Sequence, residues 1–357
     1  MMHRYDYKWT LADAKFSKDK GRVFSCFACG GGSTMGYKLA GFDVIGCNEI
    51  DPRMNAVYVR NHNPKYNYLM DIRELIPKAR NGELPEELYQ LDILDGSPPC
   101  SSFSMVGARE RDWGKKKHFR EGQSSQVLDT LFFDFIELAS ILKPKVVVAE
   151  NVKGILLGNA IRYCQRIIED LNEAGYYTQH FLLDAQNMGV PQRRERTFFV
   201  SIRKDIADKF IDDSTLFGDR TNLVLEFNEP IIPFGEIEDG KGRKLSGKMM
   251  ELWQNRRYGD GNFGEVHTRL YGCNTFFSDR FCYKDEVCGT LTGKEDALAL
   301  FDSPTFLSHD EVCKASSFPL DYDFMGQKPC YICGMSVPPV MMANVATEIH
   351  NQWLVNL

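Results

Sequence analysis

The chain has 357 residues, of which 43% are hydrophobic and 26% charged, with a net charge of −6. These values are typical of a globular protein and exclude a largely disordered one. The acidic balance excludes a uniformly basic surface but permits local basic patches. The sequence has no apolar run of about 18 residues, the length that a membrane span requires. Residues 1–20 also lack the apolar core of a signal peptide. We therefore expect a cytoplasmic protein that does not contact membranes.

The eleven cysteines indicate free thiols, because a chain without a secretory signal stays in a reducing compartment. Two CxxC pairs, Cys26/Cys29 and Cys330/Cys333, leave open a zinc site in a structural or binding module. Their long separation argues against a shared site, and the first pair falls in a predicted strand and glycine turn. We therefore expect no metal.

The first half of the chain alternates strand-like and helix-like segments. Strands are predicted at 22–27, 42–47, 91–94, 145–149 and 197–200, and helices at 34–39, 128–142 and 161–174. This alternation is typical of an α/β protein with a doubly wound, mostly parallel sheet.

The pattern changes after residue 203, so three segments are predicted. A first domain spans 1–203. A smaller, irregular or β-rich domain spans 204–328, because residues 212–290 are rich in Gly, Asp, Asn and Arg without a helical period. The last segment, 329–357, is helical from Val340 and returns to the first domain.

Residues with functional chemistry follow the ends of the predicted strands: Gly30 to Gly32, Glu49, Cys100 and Glu150. Ligands bind at this edge of open α/β sheets. A glycine-rich turn lets a ligand approach a helix N-terminus, and an acid after the next strand suits ribose hydroxyls. A simple tight turn and a helix-capping acid would give the same pattern, so this pair alone decides nothing.

Two prolines, Pro98 and Pro99, stiffen the backbone before Cys100. A buried structural cysteine is the commoner case. A rigid, polar approach favours instead a partly exposed nucleophile, whose thiolate needs positive neighbours. The loop that follows contains such residues, namely Lys115, Lys116, Lys117 and Arg120.

Glu150 follows an apolar strand, where desolvation favours a protonated carboxyl. A thiolate and a protonated acid together suit addition across a polarised ring. Without Cys100, a helix-capping acid would be the preferred interpretation. Arg194 and Arg196 alternate at period two, which predicts that both lie on one face suited to forked contacts with phosphate or a base carbonyl. A solvated edge strand has the same pattern.

Taken in order, these segments resemble the motif series of the DNA cytosine-5 methyltransferase family, in its single-chain bacterial or phage form. The gap between Ile202 and Phe301 is where this family carries its variable target-recognition domain. The matching segments are 27–32, 48–51, 71–72, 98–104, 150–152, 192–196, 307–319 and 334–339.

The resemblance implies the fold of S-adenosylmethionine-dependent methyltransferases, with S-adenosylhomocysteine as the product. It also implies that Cys100 adds to C6 of a cytosine flipped out of duplex DNA, while Glu150 protonates or hydrogen-bonds N3. Arg194 would hold the base or its phosphate, and Arg196 would brace the site. Glu49 would bind the ribose hydroxyls and Asp71 the adenine amine.

The binding residues implied by the resemblance fall into two sets. Those for the cofactor are Phe27, Ala28, Cys29, Gly30, Gly32, Glu49, Ile50, Asp71, Ile72, Pro99, Leu131, Met335 and Val337. Those for DNA are Ser102, Ser104, Lys115, Lys116, Lys117, Arg120 and Gln192, most of them in a loop, 101–126, expected to close over the base.

Three residues depart from the family pattern. Ser25 stands where the first motif usually has an acid, Cys29 where it has glycine, and Met335 where the last motif has asparagine. All three are expected around the cofactor, so that is where we expect binding to differ. The reacting pair, Cys100 and Glu150, is unaffected.

Two alternatives keep the enzyme but change the substrate. A tRNA-methylating branch shares these motifs, but it follows the cysteine region with a Cys-Phe-Thr segment that this sequence lacks. A small-molecule methyltransferase would need neither Cys100 nor the arginines of 192–196. We expect a monomer that acts on double-stranded DNA. Whether a cognate restriction endonuclease accompanies it is left open.

Overall fold

The computed structural model describes residues 3–99, 130–158, 160–207, 222–275 and 277–357. The predicted nucleophile and most of the predicted DNA contacts lie outside the described residues; these are Cys100, Ser102, Ser104, Lys115, Lys116, Lys117 and Arg120. The chain divides into two compact units. The sheet unit comprises 15–183, 195–226 and 342–357, and the smaller unit comprises 1–14, 184–194 and 227–341. The three-part division predicted from the sequence stays a prediction.

The described strands and helices follow one another through the chain. They are β1 (Arg22–Cys26), α1 (Gly32–Leu39), β2 (Asp43–Glu49), α2 (Pro52–His62), β3 (Tyr66–Leu69), α3 (Ile72–Arg80), β4 (Ile93–Gly96), α4 (Leu131–Leu142), β5 (Val146–Val152), α5 (Ala160–Glu173), β6 (Tyr176–Asp184), β7 (Glu195–Arg203), α6 (Lys204–Ala207), α7 (Gly247–Gln254), α8 (Phe263–Tyr271), β8 (Arg280–Cys282), β9 (Leu298–Leu300), α9 (His309–Ala315), α10 (Pro329–Met335) and α11 (Pro339–Gln352). None of these helices is long and apolar enough to cross a membrane.

Among the described residues, seven strands form one sheet in the order β3-β2-β1-β4-β5-β7-β6. Strands β1 to β5 pair in parallel, whereas β7 runs antiparallel to β5. Its core is built from large apolar side chains on strands and helices, such as Phe24, Leu94, Phe135, Val147 and Phe199, all fully buried. Burial of each such side chain contributes about 1.5–3 kcal/mol. The doubly wound, mostly parallel sheet predicted from the sequence is confirmed.

One strand is longer than its apolar run indicates. β5 continues to Val152, because the antiparallel pairing with β7 places Glu150 opposite Phe198 and Val152 opposite Arg196. Glu150 therefore lies within the strand, and the prediction that it follows the strand's end is wrong. The ladder hydrogen bonds fix the direction of its backbone, as a loop would not.

The smaller unit contains α7 to α10 and a parallel pair of strands, β8 and β9. Its core includes the buried side chains of Leu252, Phe263, Val266, Phe281 and Phe306. Helices α7 and α8 fall in the segment where the sequence shows no helical period. They form because aromatic and aliphatic residues around them supply a local core, which local periodicity does not reveal.

Candidate active site

The turn between β1 and α1 has an unusual backbone. Phe27, Cys29 and Gly31 adopt left-handed φ angles of 53°, 46° and 81°. A Cβ added at Gly31 would lie 2.2 Å from Nε2 of His62, so only glycine fits without movement. Helix α1 starts at Gly32 without a side-chain cap. Its first amide groups are therefore of the kind that binds ligands at helix N-termini.

Glu49, the last residue of β2, holds this turn in place. Its Oε2 accepts a hydrogen bond of 2.7 Å from the backbone N–H of Cys29, and Oε1 accepts bonds of 2.8 Å from those of Ile50 and Asp51. Burial raises the pKa of Glu49, and the three N–H donors partly offset that rise. A carboxylate has about four acceptor positions, so Glu49 can bind the turn and also fits a ribose hydroxyl.

Asp71 begins helix α3, where its side chain accepts hydrogen bonds from the backbone and the side chain of Arg73. Burial acts to raise the pKa of Asp71, but Arg73 outweighs it, so the net shift is downward. Nδ2 of Asn48 donates to the carbonyl oxygens of Tyr68 and Met70, at 3.1 and 2.8 Å. Asn48 thereby ties the end of β2 to the segment that leads into Asp71.

The other residues predicted around the cofactor have mixed surroundings. The ring of Phe27 packs against Phe135, while Ile72 and Leu131 are buried in the core of the sheet unit. Met335 and Val337 belong to the smaller unit. The glycine turn, the buried carboxylate of Glu49 and Asp71 together fit a ligand with a ribose and an adenine, as S-adenosylmethionine has.

The approach to Cys100 is held by Asn151. Its Nδ2 donates to the carbonyl oxygen of Pro98 at 3.3 Å, and its Oδ1 accepts from the backbone N–H of Val152 at 2.9 Å. Asn151 is 4% exposed. Strand β5 is therefore hydrogen-bonded to the proline segment that leads from β4 to Cys100.

Glu150 and Arg196 form a buried ion pair. The Nε of Arg196 lies 2.9 Å from Oε1 of Glu150, and the two side chains are 14% and 10% exposed. Burial lowers the pKa of Arg196, and Glu150 partly offsets this. Nη1 of Arg196 also donates to the carbonyl oxygen of Glu195 at 2.8 Å. The acid thus has a fixed orientation, set by a side chain of the next strand.

Arg194 and Gln192 are buried in the smaller unit. The guanidinium of Arg194 donates to the carbonyl oxygens of Leu291, Gly334 and Ser336 at 2.8–2.9 Å. The side chain of Gln192 bonds to backbone groups of Ala315 and Leu291. β7 begins at Glu195, so Arg194 precedes it and does not share a strand face with Arg196. The contacts of Arg194 with base or phosphate, and of Gln192 with DNA, stay predictions.

Three polar residues near these groups were not assigned a role from the sequence: His62, Asp95 and Asn151. The ring of His62 lies against Gly31, where a Cβ atom would otherwise be. The carboxyl group of Asp95 is buried on β4. The available signal for Asp95 was an acid inside an otherwise apolar strand, which needs partners when buried. The signal for Asn151 was its place beside Glu150.

The cysteines do not assemble a metal site within the described part of the chain. No group of three or more His, Cys, Asp or Glu side chains is placed there to hold a metal ion. Burial raises the pKa of Cys26 and of Cys333 well above the ordinary thiol value. The thiolate that binds zinc is therefore disfavoured at both.

Comparison with known proteins connects this geometry to a family. The family described as C-5 cytosine-specific DNA methylase matches residues 21–271. The chain belongs to this family. The matched range contains the glycine turn, Glu49, Asp71, the ion pair of Glu150 with Arg196, and Cys100.

Members of the family from bacteria are similar to this chain. Type II methyltransferase M.FnuDI of Fusobacterium nucleatum is 35% identical over 52% of this chain and 48% of its own length. M.NgoFVII of Neisseria gonorrhoeae is 30% identical over 95% of this chain and 89% of its own. The chain therefore spans about half the length of M.FnuDI, as it does for other relatives that match it over about half of its own length, but most of the length of M.NgoFVII. A prophage-encoded DNA modification methyltransferase of E. coli has a similar fold, with TM-score 0.64 and 18% identity over 94% of this chain and 99% of its own.

Proposed function

We propose that this protein transfers a methyl group from S-adenosylmethionine to C5 of cytosine in a specific sequence of double-stranded DNA. The observation that carries the proposal is the buried pair of Glu150 with Arg196 on β5 and β7, next to the strand that leads to Cys100. A small-molecule methyltransferase does not need a buried, ion-paired acid beside a segment that leads to a nucleophilic cysteine. Family membership supports the choice of cytosine C5.

Cytosine C5 is a poor nucleophile until another nucleophile has added to C6 of the ring. The thiolate of Cys100 forms a bond to C6, and Glu150 supplies a proton or a hydrogen bond to N3, where the displaced electron pair collects. C5 becomes enamine-like and is then able to take an electrophilic methyl group. Loss of the C5 proton to a base re-forms the C5–C6 double bond as the bond from C6 to sulfur breaks and the thiolate leaves. A proton taken up at N3 returns to Glu150.

The residues whose positions are fixed by hydrogen bonds or ion pairs each have a role in this reaction. Arg196 fixes the carboxyl of Glu150, and Asn151 fixes the carbonyl of Pro98 just before Cys100. Glu49 would bind the ribose, and Asp71 the adenine, of the bound S-adenosylmethionine. When bound, that cofactor would supply the sulfonium methyl, with S-adenosylhomocysteine as the product. The target base must leave the stack, because a paired cytosine does not expose its ring faces to a side chain.

The names of the relatives support a proposal for the biological setting. Because several are named Type II methyltransferases, we place this protein in a restriction–modification system, with a cognate endonuclease as a functional partner and not a physical one. We further propose a monomer in the cytoplasm of a bacterial cell, encoded by the bacterium or a phage.

The substrate is tested by transfer of a labelled methyl group from S-adenosylmethionine to duplex DNA, tRNA and free cytidine in parallel. We expect label on duplex DNA only. Label confined to tRNA or cytidine would contradict the proposal. Bisulfite sequencing of DNA from cells that express the protein then identifies the modified cytosine and its sequence context.

A further inference from the structure

A buried carboxyl group connects the glycine turn with the strand that leads to Cys100. Asp95 on β4 is 1% exposed. Its Oδ2 accepts a hydrogen bond of 2.8 Å from Oγ of Ser25 on β1, and its Oδ1 accepts one of 3.2 Å from the hydroxyl of Tyr37 on α1. One side chain therefore joins the strand before the turn, the helix after it, and β4.

Ser25 and Asp95 are direct partners in the parallel pairing of β1 with β4. Ser25 also stands where the first motif of the family usually carries an acid. An acid at position 25 or at position 95 would place a carboxyl group in the same cross-strand pair. In this chain the carboxyl group of that pair lies on β4, at Asp95.

We propose that Asp95 is a positioning residue that takes the place of the missing first-motif acid and holds the cofactor turn in register with the approach to Cys100. This rests on the proposed function and deepens it: in a chain with Ser25, Asp95 is the residue that keeps the cofactor turn in position. Asp95 acts through Ser25 and Tyr37 and not by contact with the substrate.

The surroundings of Asp95 explain why the pair holds one acid and not two. The group is fully enclosed, and Glu150 is the other acid whose charge acts on it. Burial raises its pKa to about 7, although the hydroxyls of Ser25 and Tyr37 act to lower it. A second carboxyl at position 25 would stand in hydrogen-bond contact with the first, where two like charges repel in a medium of low polarity.

The test is an exchange of the two side chains in the full-length protein. Binding of S-adenosylhomocysteine and of S-adenosylmethionine is measured by calorimetry on wild type, Asp95→Ser, Ser25→Asp and the double exchange Ser25→Asp/Asp95→Ser. We expect each single variant to weaken cofactor binding by about tenfold, and the double exchange to restore it to within about threefold of wild type. Should Asp95→Ser not fold, Asp95→Asn replaces it in the same comparison.

A matched control separates positioning from general loss of stability. Ser201 is also fully buried in the sheet and shares a hydrogen bond of 3.0 Å with Thr178, away from the turn. Ser201→Ala is expected to lower the unfolding midpoint and leave cofactor affinity unchanged. Equal weakening by Ser201→Ala would overturn the proposal.

Two further results would also overturn it: wild-type affinity in Asp95→Ser, or a double exchange that binds no better than Asp95→Ser. Calorimetry needs no DNA, so these outcomes are independent of the substrate. A wild-type protein that binds the cofactor but methylates no DNA would refute the proposed function and leave the exchange to decide the role of Asp95.

Discussion

The guanidinium of Arg196 lies 2.9 Å from the carboxylate of Glu150, across the antiparallel pairing of β7 with β5. Both side chains are largely removed from water, so each charge depends on the other for compensation. The pair also fixes the orientation of the Glu150 carboxyl group, which the proposed reaction requires.

Arg196→Met leaves the carboxyl of Glu150 buried without its partner. We expect the free energy of unfolding to fall by about 3–5 kcal/mol, the usual cost of breaking a buried ion pair, as measured by urea denaturation. The control is Glu150→Gln/Arg196→Met, in which no charge is left unpaired. A double variant as unstable as Arg196→Met would contradict this account.

Glu150→Gln keeps the shape of the side chain but removes the carboxyl group that the proposed reaction uses at N3. We expect kcat for methyl transfer to DNA to fall by about 10²–10⁴-fold, the usual contribution of a general acid. Affinity for S-adenosylmethionine should stay within about twofold, because the proposed cofactor contacts lie outside β5. Steady-state kinetics with labelled cofactor measures both; unchanged kcat would exclude Glu150 as the acid.

Gly31→Ala tests the glycine turn against a matched glycine. Gly31 and Gly82 have similar left-handed φ angles, 81° and 71°, but an added Cβ meets His62 only at Gly31 and has open space at Gly82. Both changes should cost about 1–2 kcal/mol for the backbone. Gly31→Ala should cost about 1–3 kcal/mol more for overpacking and weaken cofactor binding. Equal losses in thermal unfolding would show that the contact with His62 is unimportant.

The buried carboxyl of Asp95 predicts a pH dependence of stability. Its folded pKa is about 7, whereas an unfolded aspartate has a pKa of about 3.9. The folded state therefore binds the extra proton, and this contribution to stability is full below pH 4 and is lost as the pH rises to 7. We expect wild type to lose stability relative to Asp95→Asn across this window in urea denaturation. Parallel curves for the two proteins would contradict the assignment.

The sequence predicts the sheet and the place of the site because apolar β-branched strands and the residues that end them are local patterns. The runs before Gly30, Glu49 and Cys100 all became parallel strands in the expected sheet. Strand β3 went unpredicted because it has only four residues, none of them fully buried. Helix α2, with 11 residues, went unpredicted because its buried face includes the polar residues Asn55 and His62.

What the sequence did not reveal depends on pairing between distant segments. Glu150 lies inside β5 only because β7 extends the ladder on its far side. The partnership of Ser25 with Asp95 joins residues 70 positions apart, and the burial of Arg194 depends on carbonyl groups about 100 residues downstream or more. The spacing of neighbouring residues does not predict any of these three long-range contacts.

The central claim is that Cys100 forms a covalent bond to C6 of a flipped cytosine, and it is tested most directly by trapping that bond. In a duplex that carries 5-fluorocytosine at the target position, C5 cannot release a proton, so elimination of the thiolate is blocked after methylation. In the presence of S-adenosylmethionine we predict a protein–DNA adduct stable to denaturation, mapped to Cys100 by mass spectrometry and absent from Cys100→Ala. An adduct on another residue, or methyl transfer retained by Cys100→Ala, would contradict the account.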